Sequence, residues 1–300
     1  MKLNFKKNGV ENLGELFDKK ECKKLLNSIR RNRNLNKLFI SPKNFKEALY
    51  TKGYNPKPGK NLLEKLNSSF IFDNHKFEQQ MKRILGNYYR ILDYKLVMGF
   101  PQSHIPEWIK KKVVGSHSVN LAKFIKPKFR DITYFYGIDF HQDIIDFPDR
   151  LSNFVTVYIY LDKVDINCSP LHVIPNSHIG GATSFPHNLE IKKKNIIYKP
   201  NKNKKVRSKI KKLLGGAGST FVWHPFILHG TQPQKYDKPR ISVRILVEKN
   251  RQSDLKCEID NVNKKIKGNL SLIKVRNHLD KKGKDVKKNN LINKIKYNQL

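Results

Sequence analysis

Four stretches of the 300-residue chain are built from β-branched and aromatic residues in the manner of strands. Asp131-Ile-Thr-Tyr-Phe-Tyr136 leads into His141-Gln142-Asp143, and Phe154-Val-Thr-Val-Tyr-Ile-Tyr-Leu161 follows it. Ser219-Thr-Phe-Val-Trp-His-Pro-Phe-Ile-Leu-His229 ends on a histidine, and Arg240-Ile-Ser-Val-Arg-Ile-Leu-Val247 opens on an arginine. Every side chain that stands out as a metal or anion ligand therefore sits on or beside an expected strand.

The order of those ligands specifies a chemistry. Alternate residues on a strand face one way, so His141 and Asp143 are expected on one face. His229 would supply a third ligand. Two imidazoles and one carboxylate on one side of a divalent iron leave the other side open. Arg240 could then hold the far end of a dicarboxylate that chelates through the open positions; its planar guanidinium suits a carboxylate better than an ammonium does. The set describes a non-haem Fe(II) centre using 2-oxoglutarate and dioxygen. Oxidative decarboxylation would give succinate and carbon dioxide and provide an oxidant able to attack an unactivated C–H bond. Ser242 and Arg244 share a strand face with Arg240, so Ser242 is a candidate for the same carboxylate. Gln142 is expected to point away from the metal face, and is a candidate for supporting the ligands or touching the cosubstrate. A second His-x-Asp, His278-Leu279-Asp280, lies in a lysine-rich tail with no histidine after it and is read as chance. His224 and His178 are read as structural hydrogen-bonding residues, and Trp223, Tyr158 and Tyr160 as core or pocket wall.

Around these residues the chain resembles the phytanoyl-CoA dioxygenase family of iron and 2-oxoglutarate oxygenases. The resemblance is carried by Phe140-His-Gln-Asp-Ile-Ile-Asp-Phe-Pro148, Leu171-His-Val-Ile-Pro-Asn-Ser-His178, Phe221-Val-Trp-His-Pro-Phe-Ile-Leu-His-Gly-Thr231 and Arg240, in that order and at fitting spacing, over roughly residues 130–248. It implies a mainly β fold with flanking helices, a double-stranded β-helix or cupin-like jelly-roll with the site at one open end. It implies that Thr231 shares the cosubstrate carboxylate with Arg240. The chain departs from the family's pattern at Asn176, where Gly is common, and at Cys168-Ser169, where Asn-Gly is common. Family halogenases lack the carboxylate ligand, so Asp143 favours hydroxylation. A redox-inactive cupin-like metal-binding or isomerase protein is the alternative; it would need no dicarboxylate anchor such as Arg240.

The expected organisation is one oxygenase domain over 1–250, with a helical cover over 1–130 and the jelly-roll core over 131–248, followed by a lysine-rich extension over 251–300 with short helices or partial disorder. Amphipathic helices are expected over 12–31 and 77–91, a strand over 94–100, and turns at Gly53–Gly59. No stretch is apolar enough to span a membrane, and the N-terminus lacks the apolar core of a secretion signal. Three separated cysteines argue for reduced thiols and a cytoplasmic setting. The formal net charge of +36 implies non-specific binding to polyanions, but no specific nucleic-acid motif accompanies it. Eleven Lys/Arg stand against one acid over residues 188–214, an interruption expected to form a wall or lid of the pocket. That wall would favour an anionic substrate, small or carrier-linked.

Overall fold

A computed structural model describes residues 3–31, 33–47, 56, 60–147, 150–192, 195–250, 256–270 and 277. The expected turn at Gly53–Gly59 and the His278–Asp280 copy lie almost wholly outside them. Thirteen strands run in chain order: β1 Val10–Glu15, β2 Tyr89–Gly99, β3 Ser118–Asn120, β4 Thr133–His141, β5 Phe154–Tyr160, β6 Leu171–Ile174, β7 Leu189–Lys192, β8 Asn195–Asn201, β9 Lys204–Ser208, β10 Lys211–Leu213, β11 Ser219–Trp223, β12 Leu228–Thr231 and β13 Arg240–Lys249. Ten of them form one barrel-like sheet in the order β1-β11-β5-β13-β2-β4-β12-β6-β10, with β3 added beside β4. All neighbours are antiparallel except β2 and β4, whose parallel pairing joins the two halves.

The strand β5 shows why the sheet closes. Its seven residues are all buried, which requires cover on both faces. Val155, Val157 and Ile159 face outward into a cluster with Leu25, Leu26 and Ile29 of the helix Lys19–Arg31 and with Phe77, Met81 and Ile84 of the helix His75–Leu85. Tyr158 and Tyr160 face inward, where they meet Val97, Leu171, Val173, Phe221 and Trp223 from both halves of the sheet. The interior of the jelly-roll is thus lined by the even-numbered residues of β5 and β13.

The helical cover differs from expectation at both helices. Residues 10–15 pair with β11 as a strand, and the helix begins only after Asp18, whose Oδ1 accepts from the Lys20 and Glu21 amides at 2.8 and 3.1 Å. The second helix stops at Leu85 because Gly86 takes a φ of 89°, and Tyr89–Ile91 belong to β2. Strands β1, β2 and β3 make the sheet begin well before residue 131. Most of the basic segment folds as a separate three-stranded sheet, β7-β8-β9, while its last strand, β10, joins the main sheet beside β6. Its Ile196 and Tyr198 pack on Phe140, Ile174 and Leu228 of β4, β6 and β12. In the C-terminal extension Glu258–Asn263 is helical; the expectation for 278–300 lies outside the described residues.

Candidate functional site

His141 closes β4, and His229 stands directly opposite it in β12. Antiparallel pairing therefore sets the two imidazoles face to face, with ring centroids 4.2 Å apart. Asp143 reaches the same place by a different route from the expected strand alternation. β4 ends at His141, and Asp143 opens a short 3-10 turn, Asp143–Asp146, that swings its carboxylate back toward the rings. One ligand atom from each of the three lies within 4.8 Å of the others.

The hydrogen bonds leave the right atoms free. His141 Nδ1 lies 3.1 Å from the Asp139 carbonyl, and His229 Nδ1 lies 3.0 Å from the Ile227 carbonyl. A carbonyl only accepts, so each Nδ1 carries the proton and each Nε2 keeps its lone pair. Burial, then the neighbouring His229, pushes the His141 pKa well down, which keeps the ring neutral as a ligand must be. Asp143 Oδ2 accepts from the Thr156 hydroxyl at 2.6 Å and from Trp223 Nε1 at 2.9 Å. Its Oδ1 faces His229 Nε2 at 3.7 Å and accepts only a long bond from Arg244 Nη2, at 3.4 Å. Burial alone would raise the Asp143 pKa, but His229, Arg244, His141 and Thr156 together hold it well below the usual carboxylate range. Two neutral nitrogens and one anionic oxygen converge, a donor set that fits a divalent iron.

Arg240 opens β13 with its guanidinium inside the barrel, 4 % exposed. Nη1 donates to the Ser169 carbonyl at 2.6 Å, Cζ lies 5.9 Å from the Tyr158 ring centre, and Nε has no partner among the described residues. The Tyr158 hydroxyl and the Ser242 Oγ, both buried, likewise have none. A buried cation without an anion, with unpartnered hydroxyls beside it on the same lining, fits the far carboxylate of 2-oxoglutarate. Thr231 is near this region through Ser169, whose Oγ and carbonyl lie 2.8 and 3.1 Å from the Thr231 hydroxyl.

Gln142 does not join this cavity. Its amide nitrogen donates to the carbonyls of Gly181 and Phe226 at 2.8 and 2.9 Å, and its oxygen accepts from the Thr183 amide at 3.0 Å. With that amide fully occupied and wholly buried, Gln142 ties together two loops and has nothing left for a cosubstrate. His224 lies in the turn between β11 and β12, bonded to Asn263 Oδ1 at 2.9 Å and to the Phe226 amide at 3.2 Å. His178 packs against Gly9, where even a Cβ would come within 2.4 Å of its Nδ1.

Trp223 and Thr156 touch the Asp143 carboxylate, which no local motif announces; they face it because Trp223 pairs with Thr156 across β11 and β5. His187 is likewise silent in sequence. Its Nδ1 is 2.7 Å from the Thr183 hydroxyl, which also meets the Tyr198 hydroxyl at 2.7 Å, while its buried Nε2 has no partner. Burial, then the nearby His229, pushes its pKa down to about 3. Through Tyr198 the basic three-stranded sheet supports this wall of the site.

The sequence profile of the phytanoyl-CoA dioxygenase family matches residues 5–242. No curated protein matches the chain. Among solved structures, the apo form of the non-heme monooxygenase ThoJ is similar with a TM-score of 0.50 at 15% identity, covering 82% of this chain and 76% of that one. The non-heme alpha-ketoglutarate-dependent epimerase SnoN from nogalamycin biosynthesis has a TM-score of 0.48 at 12% identity, with 81% and 78% covered.

Proposed function

The chain belongs to the phytanoyl-CoA dioxygenase family of iron(II)- and 2-oxoglutarate-dependent oxygenases, and from that premise we propose that it hydroxylates an unactivated C–H bond of a small or carrier-linked substrate, releasing succinate and carbon dioxide. The observation that carries this reading is the pairing of two unlike sites in one barrel: a neutral-neutral-anionic ligand triad, and a buried guanidinium lacking an anion. A redox-inactive metal protein would need the first and not the second. The cofactors are Fe(II), 2-oxoglutarate and dioxygen, and bound together they supply an oxidant strong enough for such a bond.

The chain's own residues do the rest. His141 and His229 offer Nε2 because backbone carbonyls hold their Nδ1 protons. Asp143 offers Oδ1 because Thr156 and Trp223 occupy Oδ2. Arg240, with Ser242 and Tyr158 beside it, orients the cosubstrate by its far carboxylate, and Thr231 steadies Ser169 against that arginine. The aromatic lining of Tyr158, Tyr160 and Phe221 excludes water from the barrel around Arg240. The three cysteines are free thiols, which supports a reducing, cytoplasmic setting. Among the described residues no helix is long and apolar enough to cross a membrane.

Anaerobic addition of 2-oxoglutarate to the Fe(II)-loaded protein tests the reading. The weak visible metal-to-ligand charge-transfer band should appear, vanish in His141→Ala, and need at least tenfold more 2-oxoglutarate in Arg240→Ala. A folded, metal-loaded protein with no band would hand the argument to the redox-inactive alternative.

A further inference from the structure

Four residues beyond Arg240, on the same inward face of β13, Arg244 stands opposite Lys95 of β2. The shared face is confirmed by Gly99, two pleats along from Lys95, where a Cβ would lie 3.4 Å from the Arg240 guanidinium. Lys95 is 7 % exposed, yet its ammonium makes no hydrogen bond to any described residue; its nearest carboxylate is Asp93, at 3.7 Å. Arg244 approaches the same Asp93 oxygen at 3.5 Å and Asp143 Oδ1 at 3.4 Å. Asp93 is half-exposed, and Asp143 Oδ1 is the atom facing the metal position. Once Asp143 ligates a metal, these two inward-facing cations are left with the half-exposed Asp93 and with Asp146, whose charge also acts on Lys95. Burial, then Arg244, pushes the Lys95 pKa down to about 8, so the ammonium remains mostly charged at neutral pH.

A nearly buried ammonium held only by a 3.7 Å ion pair to a half-exposed carboxylate is costly unless a closer anion joins it. We infer that Lys95 and Arg244 form an anion-binding subsite beside Asp143, and that the substrate places a carboxylate or phosphate there. This rests on the oxygenase reading and adds the substrate's charge to it. The backbones of Arg240 and Arg244 are four residues apart on an extended strand, roughly 13 Å, and the two guanidiniums are held by different partners, the Ser169 carbonyl and the carboxylates of Asp93 and Asp143. The two arginines mark separate stretches of the lining: Arg240 the stretch beside Ser169, Arg244 the stretch beside Asp143. The subsite therefore fixes the substrate by its charged group close to the metal ligands, on a β-strand rather than a loop.

The test uses the full chain, anaerobic, loaded with Fe(II) and saturating 2-oxoglutarate, at constant ionic strength. Inorganic phosphate and propionate are titrated separately, and the charge-transfer band is followed. At least one anion should shift the band saturably, and the one with the lower midpoint identifies the headgroup class. In Lys95→Met, which keeps an apolar chain of similar length in place, that midpoint should rise at least tenfold; Lys95→Arg should recover most of it. The 2-oxoglutarate midpoint, read on the same samples, should move far less. Neither anion shifting the wild-type band, or equal midpoints in wild type and Lys95→Met, overturns the subsite while leaving the oxygenase reading intact. A wild-type protein with no band at all overturns both.

Discussion

At the scale of single residues, the decisive feature is how each ligand is held. Groups that orient a ligand commonly change metal affinity 10- to 100-fold when removed. Trp223 donates to the Asp143 oxygen that the metal does not need. Trp223→Phe keeps most of the ring in the barrel and deletes that one donor, so Fe(II) affinity should fall by about tenfold or more while the fold persists. Competition with a fluorescent chelator reads the affinity, and circular dichroism reads the fold; an unchanged affinity would mean that Thr156 alone positions the carboxylate. The triad itself was legible because its residue types and order are local facts of the sequence. The Trp223 role was not, because it exists only after β11 and β5 come into register. Two departures from the family's pattern also acquire a reason here. Ser169 and Asn176 are the two non-glycine residues with positive φ among those described, at 50° and 68°, where glycine costs least.

At the scale of elements, the chain's periodicity misled wherever an apolar spacing continued past a break. Leu13, Leu16 and Phe17 fit a helical stripe, but the backbone of residues 10–15 is claimed by β11, and Gly14 turns at a φ of 81°. The basic segment hid its strands for another reason: lysines on the outward face masked the inward Ile196, Tyr198 and Val206. Gln142 shows how elements are joined around the site. Its amide serves the loop at Gly181–Thr183 and the turn at Phe226 together. Gln142→Leu fills similar space but strands two carbonyls and one amide away from water. At about 1–3 kcal/mol for each stranded group, the variant should lose at least about 3 kcal/mol of unfolding free energy in urea. A loss below about 1 kcal/mol would mean water or a rearranged loop satisfies those groups. The 2-oxoglutarate midpoint of the surviving folded fraction should stay put; a selective rise in it would return Gln142 to the cosubstrate.

At the scale of the whole molecule, charge and burial oppose each other. A chain of formal charge +36 repels itself, and its surface lysines offer no place to neutralise further protons. Yet four histidines outside the triad are held neutral: burial pushes His172 down to about 4, His178 to about 3, His187 to about 3 and His224 to about 4. In the unfolded chain each would titrate at the ordinary imidazole value of 6.5. Below that pH the unfolded state binds the extra protons and the folded state does not, so stability is full above about pH 6.5 and is lost as pH falls toward about 4. Each histidine contributes a slope approaching about 1.4 kcal/mol per pH unit in that window. The unfolding free energy of the chelator-treated protein should therefore drop by up to about 5 kcal/mol per pH unit between pH 6 and 4.5. His178→Gln should make the slope shallower by about a quarter, whatever it does to stability at pH 7. Self-repulsion predicts the same direction but is screened by salt, so the slope that survives in 1 M sodium chloride belongs to the buried rings. A profile that is flat in high salt from pH 6.5 to 5 would mean these imidazoles take up protons without leaving the fold.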